Sequence, residues 1–166
     1  MFAHGVCGIA RVGEPRRAAH SFEGEIAGEI TTAAGIATHR LSPAWEAVKK
    51  KGDEAIEKWI DNQLTGTSVT VVLIGAETSE RKYVGYEIKQ SHNKGNGMLG
   101  IAIHNMRDVN SRTDTRGKNS FANWHVEPNG RKFLLSDIYP VYDWVNDNGR
   151  SNIGEWIEAA ANKAGK

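Results

Sequence analysis

The chain has 166 residues, enough for one domain and too few for two full ones. Apolar residues at 39% and charged ones at 25% are those of a globular chain able to close a core. Lys+Arg 21 against Asp+Glu 20 leaves a net charge of +1, so no whole-chain field draws in nucleic acid or an anionic membrane. One cysteine, Cys7, excludes an intrachain disulfide and a Cys-rich zinc site, and no apolar run reaches the roughly 18–20 residues of a membrane span. With no basic, then apolar, leader at the N-terminus, the expectation is an intracellular, cytoplasmic domain.

Composition changes near residue 48. Residues 1–48 hold no Lys, Asp, Asn, Gln or Tyr, whereas these five types supply 36 of the remaining 118 residues. An Ala/Gly-rich arm and a replaced or frame-altered N-terminal segment both fit this contrast, and Gly5–Val12 retains the pattern of a weak strand. The chain is therefore divided into a divergent segment, 1–43, and a single domain, 44–166.

From Pro43 the signals become regular. Ser42 and Pro43 read as a helix start, and Trp45, Val48, Ala55, Ile56, Trp59, Ile60 and Leu64 recur at helical spacing. This predicts one amphipathic helix ending at Gly66, with Lys49–Lys51 on its solvated face. Ser68–Gly75, SVTVVLIG, is a β-branched run bounded by glycines, the pattern of a strand buried on both faces. A helix over about 83–93, a Gly95–Gly97 turn and a strand MLGIAI over 98–103 follow. Strand, helix and strand in about 35 residues make a βαβ unit and an α/β class with a mostly parallel central sheet.

Residues 105–119 are polar and aperiodic, which predicts a long surface loop carrying Arg107, Arg112, Arg116 and Lys118. Residues 133–145 mix apolar and aromatic types, and 146–149 read as a turn. A last helix is expected from Ser151 or Asn152, where Asn152 and Glu155 have capping-box spacing, with Ile153, Trp156, Ile157, Ala160 and Ala161 inward.

No phosphate-binding glycine loop, dinucleotide fingerprint, metalloprotease pair or nucleophile elbow is present. His92, His104 and His125 lack ligand spacing, so no metal site is expected. The informative stretch is YVGYE. Tyr83 and Glu87, four apart, share a helix face just past the C-terminal end of a buried parallel strand, the edge where open α/β sheets bind ligands. A carboxylate beside an aromatic ring there suits a sugar, while an ordinary exposed helix acid remains open on spacing alone.

The segment SVTVVLIGAETSERKYVGYEIKQSHNKGNGMLGIAIHNMRD resembles the TIR-like (ThsB-like) family of the Thoeris antiphage system. AWEAVKKKGDEAIEKWI and YPVYDWVNDNGRSNIGEWIEAAA are similar to its helix before the central strand and to its C-terminal segment. The resemblance spans about residues 44–166. It implies a flavodoxin-like, TIR-like three-layer fold and cleavage of the nicotinamide–ribose bond of NAD, the ADP-ribose part being cyclised or conjugated into a messenger. By the family's Trp-x-x-x-Glu motif, Glu87 takes the catalytic position and Tyr83 stands where the Trp would be.

Tyr83, His104 and Asn105 are the expected substrate-binding residues, and NAD is substrate, with no cofactor. A separate effector protein reached through the messenger, a phage-derived trigger and a homo-oligomer complete the implied partners, with no membrane and no nucleic acid. The alternative from another class is a non-catalytic TIR-like interaction module. The family's opening strand, an aromatic–Ser–aromatic segment that helps build the nucleotide pocket, has no counterpart in residues 1–43.

Overall fold

A computed structural model of the chain describes residues 6–9, 47–107 and 110–166. Its centre is a four-stranded parallel sheet in the order β1-β2-β3-β6, formed by β1 (Val6–Ile9), β2 (Val69–Ile74), β3 (Gly97–Ala102) and β6 (Val141–Asp143). β2 pairs with β3 along its whole length, from Val69 opposite Gly97 to Ile74 opposite Ala102. All twelve residues of these two strands are buried, and for β2 that is what a continuous β-branched run between glycines implies. The weak strand signal in the N-terminal segment is real: Val6–Ile9 runs parallel to β2, with Val6 opposite Val69.

Alternation along the strands divides the core between the two faces of the sheet. Val69, Val71, Leu73, Leu99 and Ile101 point to one face, where Ile153, Trp156, Ile157 and Ala161 of helix α4 (Gly149–Lys163) cover them. Val72, Ile74 and Met98 point to the other, against Val84 and Ile88 of helix α2 (Lys82–Asn93) together with Phe121 and Leu135. A third cluster joins helix α1 (Asp53–Gln63) to α2, where Ile56, Ile60 and Leu64 receive Tyr83 and Tyr86. Helix, sheet and helix make the three-layer α/β architecture expected, and each fully buried aliphatic side chain contributes about 1.5–3 kcal/mol to it.

Three boundaries differ from the sequence reading. The helix expected from Pro43 to Gly66 is interrupted: residues 47–49 are helical, Gly52 takes φ 92°, and α1 starts at Asp53. A positive φ is outside the α region, so periodicity passes over a break that the backbone of a glycine permits. Trp45 and the Ser42–Pro43 start lie outside the described residues.

The last helix begins at Gly149, after Asn148 in the left-handed conformation at φ 53°, which places Asn152 inside the helix. The Asn152 amide donates back to the Asp147 carbonyl at 2.9 Å, and the expected capping box is not formed. Finally, the mixed stretch 133–145 resolves into three elements: strand β5 (Phe133–Leu134), paired antiparallel with β4 (His125–Val126); the single turn α3 (Leu135–Ile138); and β6. Three residues are too few to show a period, which is why β6 was not legible.

Candidate functional site

Helix α2 starts just beyond the C-terminal end of β2 and carries the candidate carboxylate in its second turn. A short 3-10 turn, Thr78–Glu80, connects them, and the Thr78 hydroxyl accepts from the Gly75 amide at 3.0 Å. Tyr83 and Tyr86 pack toward α1, and Val84 and Ile88 pack onto the sheet. Glu87 is four residues after Tyr83 and three after Val84, so it falls between these two stripes, and it is only 3% exposed. The exposed-acid reading therefore fails, because the Glu87 carboxyl is held away from bulk water.

Tyr83 shares that helix face, yet its hydroxyl donates to the Asp53 carboxylate at the start of α1, which also pairs with Lys82. The hydrogen bond from Lys82 and then that from Tyr83 hold Asp53 below its ordinary value, and Asp53 in turn raises Lys82. Tyr83 thus fastens α2 to α1 through both its ring and its hydroxyl.

Gly85, in the middle of YVGYE, has a packing reason. A Cβ there would lie 2.7 Å from Cζ2 of Trp124, so the indole rests directly on the helix backbone. Trp124 follows a 3-10 turn, Ser120–Asn123, in which the Asn119 side chain accepts from the Phe121 amide at 3.0 Å and Phe121 is fully buried.

His104 and Asn105 lie just past the end of β3, on the same sheet edge as the start of α2. Their bonds run toward β6. The Asn105 amide donates to Asp143 Oδ2 at 2.8 Å, and His104 Nε2 is 3.7 Å from that oxygen, both side chains of the His104–Asp143 pair being about one-tenth exposed. His104 Nδ1 is buried with no hydrogen-bond partner among the described residues.

The sequence reading missed Asp143. This aspartate ends β6, and its Oδ1 accepts from the amides of Val145 at 3.0 Å and Asn146 at 2.9 Å. Burial pushes its carboxyl up, but those two amides, Asn105 and His104 together pull it below the ordinary carboxylate value. An acid followed by Asn and Asp in YDWVND was the signal available, readable as a side chain turning back on its own backbone.

The long loop crosses this same edge. The Asp114 amide donates to the His104 carbonyl at 2.9 Å, and a Cβ on Gly117 would stand 2.0 Å from the Gly75 carbonyl oxygen, so the loop backbone lies against the ends of both β3 and β2. Asp108 is outside the described residues. Among the described residues no cluster of His, Cys, Asp or Glu has the grouping of a metal site, and no helix is long and apolar enough to cross a membrane.

Residues 30–108 match the family described as "Thoeris protein ThsB, TIR-like domain". The chain is also 32% identical over 162 residues, covering 76% of this chain and 83% of the relative, to a Bacillus cereus (strain MSX-D12) protein named "Putative cyclic ADP-D-ribose synthase ThsB1".

Proposed function

The chain belongs to the TIR-like family of Thoeris ThsB proteins, and from that premise we propose that it is an antiphage-defence signalling enzyme. It cleaves the nicotinamide–ribose bond of NAD and turns the ADP-ribose part into a cyclic or conjugated messenger that activates a separate effector protein. The observation that carries this reading is the burial of Glu87, at 3% exposure, on the helix that leaves the C-terminal edge of a parallel sheet. Similarity to a relative named for cyclic ADP-D-ribose synthesis supports it.

The chemistry suits one shielded carboxylate. As neutral nicotinamide departs, the ribose C1–N bond breaks and positive charge develops on the sugar as an oxocarbenium-like centre. An anion held beside that carbon in a site of low dielectric stabilises the charge, as in glycoside hydrolysis. A hydroxyl of the same ADP-ribose or another acceptor then forms the new bond to C1 and gives up its proton. In this reading Glu87 is the catalytic residue and the ribose hydroxyls are its hydrogen-bonding partners. Tyr83 borders the sugar with its ring edge, and His104 and Asn105 meet the rest of the dinucleotide along the sheet edge.

Glu87→Gln keeps the size and burial of the side chain and removes its charge. Nicotinamide release and product formation by this variant, followed by mass spectrometry, are expected to fall by roughly 10²-fold or more, with the circular dichroism spectrum unchanged. A folded variant with full turnover removes Glu87 from the mechanism. A wild-type protein that consumes no NAD with or without an infection trigger, but associates as its concentration rises, points to the interaction module instead.

A further inference from the structure

A cavity of about 600 Å³ opens at the opposite edge of the sheet, where β3 and β6 begin, between the last turn of α2, the α3–β6 connection and the last turn of α4. Its size is within the roughly 300–1,000 Å³ of small-molecule sites. We propose that this cavity is a binding site for a neutral, flat heteroaromatic molecule of one fused ring pair, the size of indole or a purine base. The inference goes beyond the NAD reading and does not depend on it.

Three observations define the ligand. First, the lining includes the aromatic residues Tyr139, Tyr142 and Trp156, together with Met98 and Ile138. Tyr142 and Trp156 stack within 3° of parallel at 4.1 Å between centroids, which fixes their orientation before anything binds. Rigid aromatic walls favour a planar guest through offset or edge contacts.

Second, the charges at the rim cancel. Lys163 and Asp137 are both exposed there, and the Lys163 ammonium already donates to the Ile138 carbonyl at 2.6 Å, so a guest with a net charge gains little over water. Third, hydrogen-bonding capacity is confined to a few points. The Tyr139 hydroxyl is 2.8 Å from His92 Nδ1, and Ser136 shares the lining, which suits ring nitrogens and one exocyclic group. Ala159 of α4 and Ala164, the residue just after it, line the cavity with side chains of only one methyl group.

His92 also links the cavity to the rest of the molecule. It lies on α2 five residues beyond Glu87, roughly 7.5 Å along the same helix.

Titration of the full chain with indole, adenine and benzoate, followed by calorimetry and side-chain NMR, tests the site. Indole or adenine is expected to bind at one site, shifting the ring resonances of Tyr139, Tyr142 and Trp156. Ala159→Trp, which fills the cavity from an exposed helix position, is expected to weaken that binding at least tenfold with the remaining amide spectrum kept; Ala164→Phe provides a second filling variant. Absence of ring shifts at millimolar indole and adenine overturns the proposal, as does equal binding to both filled variants. Tighter binding of benzoate than of indole overturns the neutral-ligand assignment.

Discussion

Glu87 and Tyr83 are four residues apart on one helix, and their surroundings assign them different work. The carboxylate is enclosed, whereas the phenol reaches out to Asp53 on α1. Tyr83→Phe keeps the ring among Ile56, Ile60 and Leu64 and removes only the hydroxyl bond. Turnover of NAD is expected to stay within about threefold of wild type, since an exposed hydrogen bond contributes little net energy; a much larger loss in kcat would place the hydroxyl at the reacting sugar.

Asp143 makes a different residue-scale prediction. Its carboxyl titrates below the ordinary value of 3.8, so the folded state holds the charged form more strongly than the unfolded one does. The stability this supplies is fully present above the unfolded value and is lost as pH falls through the lower folded value. Asp143→Asn retains an acceptor for the Val145 and Asn146 amides but removes the charge facing His104. The variant is expected to show a shallower loss of unfolding free energy between pH 5 and about pH 3 than wild type, as measured by urea titration.

At the scale of elements, the fold depends on how closely helices approach the sheet. A Cβ on Gly97 would stand 2.2 Å from the Ala160 carbonyl oxygen, so the first residue of β3 lets the α4 backbone ride against it. Gly97→Ala has no flexible side chain to displace and must move a helix, so a loss of about 1–3 kcal/mol or more is expected in chemical denaturation. Gly154 lies on the exposed face of the same helix with nothing within 4 Å of the position a Cβ would take. Gly154→Ala is expected to stabilise by up to about 1 kcal/mol through helix propensity alone. Opposite signs from one substitution type, at a strand start under α4 and on the exposed face of α4, would separate close packing from helix propensity; two losses would contradict the propensity argument at Gly154.

For the whole molecule, β2 is an interior strand, with β1 on one side, β3 on the other and helices over both faces. Its amides are expected to exchange with solvent only through global unfolding, while β4 and β5, a two-stranded pair of two residues each, exchange by local opening. Comparable protection in both would contradict a core built around the interior strands β2 and β3. The sequence alone specified β2, α2, β3 and the inward face of α4, because runs of six or more residues carry enough hydrophobic periodicity to show which face is buried. It also singled out Glu87, by spacing on a helix at the end of a buried strand and by family likeness.

Tertiary structure alone decided the break at Gly52, the three-residue β6, the start of α4 and the pairing of Asp143 with His104 and Asn105. The physical reason is one of range. Local propensity and period act over a few neighbouring residues, whereas these features join His104 to Asp143, and β3 to a strand some forty residues later, through contacts that exist only once the sheet has formed.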